Sequence, residues 1–254
     1  MSLEFLSPSA GALARSPMER QALAAGAELE RRDGWNVAVR FDGEEAEAAR
    51  CRQSVGFADL SYLGKVELQA GADELSGIAG EPLELGRATR FEDGWWCPYT
   101  PERAIALCES EALPGLRERL EEASGGRSGL VSVIDVTTAF GALGLRGPLA
   151  REVFARFTAI DLRDVSTPPE GFRPGSVART GGAILRESED RWLMLFGAAF
   201  GQYMWTVVAD AAEHLGGGPV GVDVLRPAGE TLGDDRSGAG QPAPSRTAEV
   251  TPGA

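Results

Sequence analysis

One histidine, three cysteines and a shortage of basic side chains remove several kinds of chemistry before any motif is read. His214 is the sole imidazole in 254 residues. No serine or cysteine stands in a triad-like arrangement with it, which argues against a nucleophilic hydrolase. It ends a helical stretch just before Leu215-Gly216-Gly217-Gly218, where its charge suits the helix dipole and the glycines suit a cap. Cys51, Cys97 and Cys108 are odd in number and lack Cys-x-x-Cys spacing. A disulfide framework, a zinc site and a cysteine-held cluster are therefore not expected, and the three read as reduced core thiols of a cytoplasmic protein. Twenty-five Lys and Arg against 38 Asp and Glu leave a formal charge of −13, so no broad positive field exists to attract nucleic acid. "GALGLRGP" contains glycines and precedes a helix, but it lacks both the G-x-G-x-x-G and the Walker spacing and reads as a tight strand-to-helix turn.

Long apolar runs are also scarce. The start, "MSLEFLSPSAGALARSP", lacks the basic-then-apolar pattern of a secretory signal. From Trp192 to Ala209 the chain carries no charge, but Gly197 and Gly201 interrupt it and its halves differ in period. "RWLMLF" is strand-like, whereas Phe200, Tyr203, Met204, Val207, Val208, Ala211 and Leu215 follow helical spacing. A strand, a turn and an amphipathic helix are expected rather than a membrane span.

What is present is enough apolar residue, 43%, to bury a core in a chain of this length. "WNVAVRF" alternates as a half-buried strand does, with Asp33 and Trp35 read as turn and core residues. "EEAEAARCRQSV" follows as a helix, with Asp42 and Glu45 at capping-box spacing and Gly56 as its stop. "SVGFADLSYLGKVEL" leads from that helix through a polar turn into the strand "KVELQ", with Asp59 and Ser61 placed to bond turn amides and Gly64 assigned a positive φ. "RAIALCE" feeds the helix "PGLRERLEEA", with Pro114 in its first turn. "LVSVIDVTT" and "FGALGLRG" suggest a hairpin, "GPLAREVFARF" a helix, and "GAILRE" with "RWLMLF" a second hairpin. The pattern is α+β with mainly antiparallel sheets and packed helices. A flexible start over 1–15, one domain over 16–229 and a disordered Gly/Pro/Ser-rich tail over 230–254 are expected.

Candidate chemistry is sparse. Glu92 and Asp93 in "FEDGWWCPY" are adjacent carboxylates beside Trp95 and Trp96, a pattern that suits either a solvated turn or a carboxylate next to a flat ligand. The same tryptophans, with "FGQYMW", could instead anchor a partner surface or fill a core.

A family resemblance adds to this reading. "SVGFADLSYLGKVEL", "VIDVTTAFGALGLRGPLAREVFARFTAIDL" and "ARTGG" resemble segments of the glycine-cleavage T-proteins, the aminomethyltransferase superfamily with a folate-binding domain. "SPMERQALAAGAELERRDGWNVAVRF", "PPEGFRPGSVART" and "FGQYMWTVVADAAEHL" resemble the gamma subunit of heterotetrameric sarcosine oxidase, a short relative of that domain. The resemblance covers about Ser16 to Val224. It implies a T-protein-like fold, tetrahydrofolate as the possible cofactor, Asp93 as the nearest match to the catalytic carboxylate, and Asp59, Arg179, Thr180 and Trp95 as ligand-binding candidates. It also implies partner subunits of a flavin-dependent amine oxidase. The family's Arg-Thr-Gly-Tyr-Thr-Gly-Glu segment departs here after Gly181. Its pterin-holding glutamate is replaced within "RWLML" by Leu193, which cannot accept the ring's N–H bonds. A counterpart of the additional C-terminal domain of T-proteins is not expected from the resemblance. The reading is an accessory subunit of an oxidase complex in one-carbon metabolism, with a tetrahydrofolate-dependent aminomethyltransferase as the alternative. The related iron-sulfur maintenance family is disfavoured because its Lys-Gly-Cys motif is missing. An adaptor binding neither folate nor an oxidase stays open, since fold does not determine function.

Overall fold

A computed structural model describes residues 13–127 and 129–226. The expected tail, 230–254, and most of the expected flexible start lie outside the described residues. Helix α1 (Glu19–Ala24) precedes a hairpin of β1 (Glu28–Arg32) and β2 (Trp35–Arg40). Asp33 and Gly34 turn it with φ of 46° and 80°, the left-handed pair that a two-residue hairpin turn needs. Helix α2 (Glu44–Gln53) then leads into β3 (Gly56–Asp59) and β4 (Gly64–Gln69). Next come α3 (Ala72–Ala79), β5 (Thr89–Phe91), β6 (Gly94–Thr100), β7 (Arg103–Cys108), α4 (Leu113–Ser124) and β8 (Ser132–Asp135). The remainder comprises β9 (Phe140–Arg146), α5 (Ala150–Ala155), β10 (Phe172–Val177), β11 (Thr180–Arg186), β12 (Arg191–Gly197), α6 (Gly201–Glu213), β13 (Gly218–Pro219) and α7 (Val222–Leu225).

The strands form a six-stranded sheet in the order β10-β11-β12-β9-β3-β13 and a five-stranded sheet in the order β5-β6-β7-β4-β8. Every pairing is antiparallel except β13 with β3. The α+β, mainly antiparallel architecture expected from the sequence is therefore present. Period-two alternation sorts side chains between three cores. In β12, Trp192, Met194 and Phe196 join α1, α5 and α6 on one face, while Leu193 and Leu195 face the other sheet. In β6, Trp95 and Cys97 fill the core between the sheets, and Trp96 points oppositely to the core under α3 and α4. The result is four layers: helices, sheet, sheet, helices. The central strands are buried on two faces, so β6, β7, β9 and β12 read as nearly continuous apolar runs rather than alternating ones. The uncharged stretch that ends at Ala209 is β12, a 3-10 turn and part of α6. Among the described residues no helix is long and apolar enough to cross a membrane.

Several local expectations need correction. The N-terminus of α2 is not held by an Asp42–Glu45 box: its cap residue is Gly43, and no side chain caps it. Glu47, fully buried, reaches back instead. Its Oε1 accepts from the amides of Phe41, Asp42 and Gly43 at 2.7, 2.9 and 3.2 Å, and its Oε2 accepts from Gly221 N at 2.6 Å. Asp42 turns to Arg50 at 2.5 Å. Gly56 does not stop the helix, which ends at Gln53; it opens β3, where an added Cβ would lie 2.4 Å from Cys51 Sγ and 2.9 Å from Val220. Gly64 has no positive φ either. It is a strand residue placed 2.7 Å, as a Cβ, from Cys108 Sγ. Finally, β8 and β9 are not a hairpin, because β8 pairs with β4 while β9 pairs with β12 and β3.

Glu47 ties the β2–α2 corner to the start of α7 with one carboxylate. Replacing Glu47 with Ala leaves several inward-facing amides without an acceptor and should cost about 3 kcal/mol. The check is urea denaturation, in which the midpoint should fall with the slope unchanged.

Candidate functional site

The chain leaves the six-stranded sheet at Asp59 and enters the five-stranded sheet at Gly64. Leu60 and Leu63 anchor this crossing in the core between the sheets. Packing the crossing there buries its polar groups, and they are satisfied by one another. Asp59 Oδ1 accepts from Ser61 N at 2.9 Å, and Oδ2 accepts from the Ser16 hydroxyl. Ser16 Oγ accepts in turn from Met18 N at 3.0 Å, and Ser61 Oγ from Ala142 N at 3.2 Å. Lys65 is fully buried, and its Nζ donates to the carbonyls of Ser61 and Leu63 at 3.0 and 2.7 Å. Its amide donates to Thr137 Oγ1 at 3.0 Å, while Thr137 N donates to Asp135 Oδ1 at 2.9 Å. Desolvation lowers the Lys65 ammonium to about 7, with Asp59, Cys108 and Asp135 opposing that fall. Desolvation likewise pushes the Asp59 carboxyl up, against the bonds from Ser16 and Ser61. Asp59 thus holds a turn amide, that of Ser61, while Ser61 holds a strand amide of β9.

A second group lies on the inner face of the five-stranded sheet. Trp95 is fully buried with the Arg90 guanidinium 4.7 Å from its ring centroid, and Tyr99 stands edge-on to Phe172 at 5.1 Å. Arg103 sits 5.3 Å from the Tyr99 ring and pairs with Glu67, which also accepts from Gln69 Nε2 at 2.6 Å. Among the described residues, Trp95 Nε1 and the Tyr99 hydroxyl are buried without a hydrogen-bond partner. Burial also pushes the Tyr99 hydroxyl above its ordinary pKa, so it stays a donor. Leu193 packs into the same core.

The other sequence candidates lie elsewhere. Asp93 occupies the β5–β6 turn beside Arg119 of α4 at 3.5 Å; neighbouring Glu92 lines a cavity of about 400 Å³ with Phe91, Trp96 and residues of α3 and α4. That is the helix-covered side of the sheet, away from the Trp95 face. Arg179 is exposed at the β10–β11 tip, where it and Ala178 have φ of 64° and 47°. Thr180 donates its hydroxyl to Val177 O at 3.1 Å in the same turn. Asp59, Asp93, Trp95 and the Arg179–Thr180 pair are therefore not gathered into one pocket by the described residues.

The remaining reactive side chains are structural in setting. All three cysteines are free and buried. Burial raises the Cys51 and Cys97 thiols and pushes Cys108 up to about 12, which keeps them protonated and poorly nucleophilic. His214 caps α6 with Nδ1 2.7 Å from Asp210 O. Among the described residues no His/Cys/Asp/Glu group could hold a metal ion.

Comparison with known proteins places this arrangement. An aminomethyltransferase of Listeria monocytogenes serotype 4a is 27% identical over 146 residues, 52% of this chain and 40% of that protein. An aminomethyltransferase of Moorella thermoacetica is 26% identical over 242 residues, 84% of this chain and 63% of that protein. The chain spans less than two thirds of the length of both. A heterotetrameric sarcosine oxidase chain from Corynebacterium sp. U-96 superposes with a TM-score of 0.62 at 21% identity, over 80% of this chain and 96% of that one. The chain has the aminomethyltransferase and sarcosine oxidase fold. The glycine cleavage system aminomethyltransferase T of Bartonella henselae agrees, with a TM-score of 0.67 at 15% identity over 84% of this chain and 61% of that one. No protein-family model matches the chain. The resemblance drawn from the sequence to this superfamily is thus shown.

Within this fold, sequence reasoning missed Lys65 and Tyr99. The signal for Lys65 was its place in "GKVELQ": Val66 and Leu68 claim one face, so Lys65 and Glu67 must face the other sheet. A pH profile tests the setting of Lys65. Unfolded, the ammonium holds its proton to its ordinary value of 10.5; folded, it releases it near 7. Between those values the unfolded chain binds more protons, so this group makes stability rise with pH. Asp59 acts oppositely, its contribution falling as pH rises from 3.8 through the raised folded value. Chemical denaturation between pH 7 and 8, below the 9.0 at which the cysteines of the unfolded chain titrate and their raised folded values pull stability the other way, should show the rise, and Lys65→Met should flatten it.

Proposed function

We propose that this chain is a sarcosine oxidase gamma-subunit-like accessory protein, using a T-protein-type folate-binding fold to support a flavin-dependent amine oxidase complex in one-carbon metabolism. One observation carries the reading. Beside the orphaned donors Trp95 Nε1 and Tyr99 Oη on the inner face of β6, the neighbouring carboxylate, Glu67, is already engaged by Arg103 and Gln69; Leu193 packs into that core, and Asp93 lies on the far side of the sheet bound to Arg119. A pterin ring presents N–H donors, and neither Trp95 nor Leu193 can accept them. The scaffold of the fold is intact while the constellation for aminomethyl transfer is dispersed. Superposition over 96% of a sarcosine oxidase chain also supports a subunit role.

The alternative is a tetrahydrofolate-dependent aminomethyltransferase with Asp93 handling the leaving amine. Its support is the sequence likeness to aminomethyltransferases and the two unpartnered donors, which suit the acceptor atoms of a flat ligand between the sheets. Tetrahydrofolate is the candidate cofactor under both readings.

Calorimetric titration with tetrahydrofolate separates them. For an accessory subunit, Asp93→Ala leaves the titration unchanged, whether or not the wild-type chain binds, and a tagged chain co-elutes with a protein carrying flavin absorbance. Saturable binding that disappears in Asp93→Ala, with no flavoprotein retained, establishes the transferase instead.

A further inference from the structure

The outer edge of the five-stranded sheet is built to pair with a copy of itself. Strand β8 is the last in its sheet, and among the described residues only β4 is bonded to it. The ladder fixes which of its backbone groups point outward. Val136 N donates to Lys65 O at 2.9 Å, so by antiparallel alternation Ser132 and Ile134 aim their N–H and C=O at β4. Val133 and Asp135 aim theirs away from the sheet, as Val131 does if the strand extends. Such an edge is a template for another strand, and proteins ordinarily blunt it with lysine, proline or a bulge. Here residues 130–134 contain none of these, and Asp135 at the end of the strand is the one charge on the edge. Leu130 is 93% exposed and Ile134 is 49% exposed, and Leu130 and Val131 belong to no ladder.

The sequence of this edge reads nearly the same in both directions. "LVSVI", Leu130 to Ile134, has Ser132 at its centre, a valine on each side and a large aliphatic residue at each end. Two antiparallel copies related by a twofold axis at Ser132 would set Leu130 opposite Ile134, Val131 opposite Val133 and Ser132 opposite Ser132. This register also suits the backbone. Val131 and Val133, with outward groups, form the hydrogen-bonded pairs, while Ser132 meets Ser132 in a non-hydrogen-bonded pair. Asp135 falls opposite Gly129, so no carboxylate faces another in a chain of charge −13. A shift by one residue would oppose outward groups to inward ones, and a shift by two would set Asp135 against Val131 and Ser132 against Ile134.

We propose that β8 is a self-association edge, through which two copies of this chain join their five-stranded sheets into one continuous ten-stranded sheet about a twofold axis at Ser132. The proposal is independent of folate binding and of any oxidase partner. A strand pair of this length is smaller than a standard stable interface, so the dimer is concentration-dependent.

Sedimentation of the full chain over a micromolar to millimolar range should move from one chain mass to two. Leu130→Lys with Ile134→Lys, both at exposed positions, should hold the mass at one chain with an unchanged melting temperature. Cysteine substitution tests the register. A non-hydrogen-bonded pair places its Cα atoms about 4.5 Å apart, within the roughly 4.4–6.8 Å that a disulfide spans. Ser132→Cys should therefore form a covalent dimer under mild oxidation, while Ile134→Cys, opposite Leu130, should not; the native thiols are buried. The proposal fails if the wild-type chain stays at one mass throughout, if the double lysine variant still dimerises, or if Ile134→Cys cross-links as readily as Ser132→Cys.

Discussion

The buried crossing from β3 to β4 is the constraint on which the two-sheet structure depends. A chain that passes between two packed sheets must carry polar backbone through an apolar layer, and unpaired groups there are costly. Asp59, Ser61 and Lys65 satisfy that passage locally. Lys65 covers the carbonyls of Ser61 and Leu63, Asp59 holds the Ser61 amide, and Ser61 holds Ala142 of the neighbouring β9. Ser16 extends the knot to the segment before α1. An aspartate and a lysine in a core look like the makings of a catalytic pair, yet their bonds close backbone and hydroxyl groups of the crossing and of the segments packed on it.

That knot also bears on function. The fold shared with aminomethyltransferases and sarcosine oxidase survives here with its sheet junction complete, while the sequence candidates for chemistry are scattered over a surface turn, a hairpin tip and a core. On the inner face of β6, Trp95 Nε1 and the Tyr99 hydroxyl are buried without a hydrogen-bond partner. Such a scaffold suits the proposed accessory role, because assembly needs shape more than a reacting group.

Much of this was legible in the sequence, for identifiable reasons. The "GAILRE" and "RWLMLF" hairpin, the α6 helix and the Pro114 helix carried strong periodicity or punctuation, and each formed. The strand β3 hid inside a stretch read as a turn, because "GFAD" is short and buried on both faces and so has no alternation. The false β8–β9 hairpin arose from adjacency in sequence: the chain changes sheets at Thr137, and no local signal marks that. The Asp42–Glu45 box lost to Glu47, whose carboxylate reaches an amide 174 residues away. Placing Asp93 near Trp95 in "FEDGWW" gave an appearance of proximity, but Asp93 lies in the β5–β6 turn, outside the alternation of β6, and turns to Arg119 of α4 while Trp95 enters the core between the sheets.

The most direct test of a structural junction is thermal unfolding of Asp59→Ala, with tetrahydrofolate titration of the same variant. Loss of about 2 kcal/mol would lower the melting temperature by roughly 4–8 °C in a chain of this size, and the account predicts that fall. An unchanged melting temperature together with lost ligand binding would contradict it and make Asp59 a binding residue.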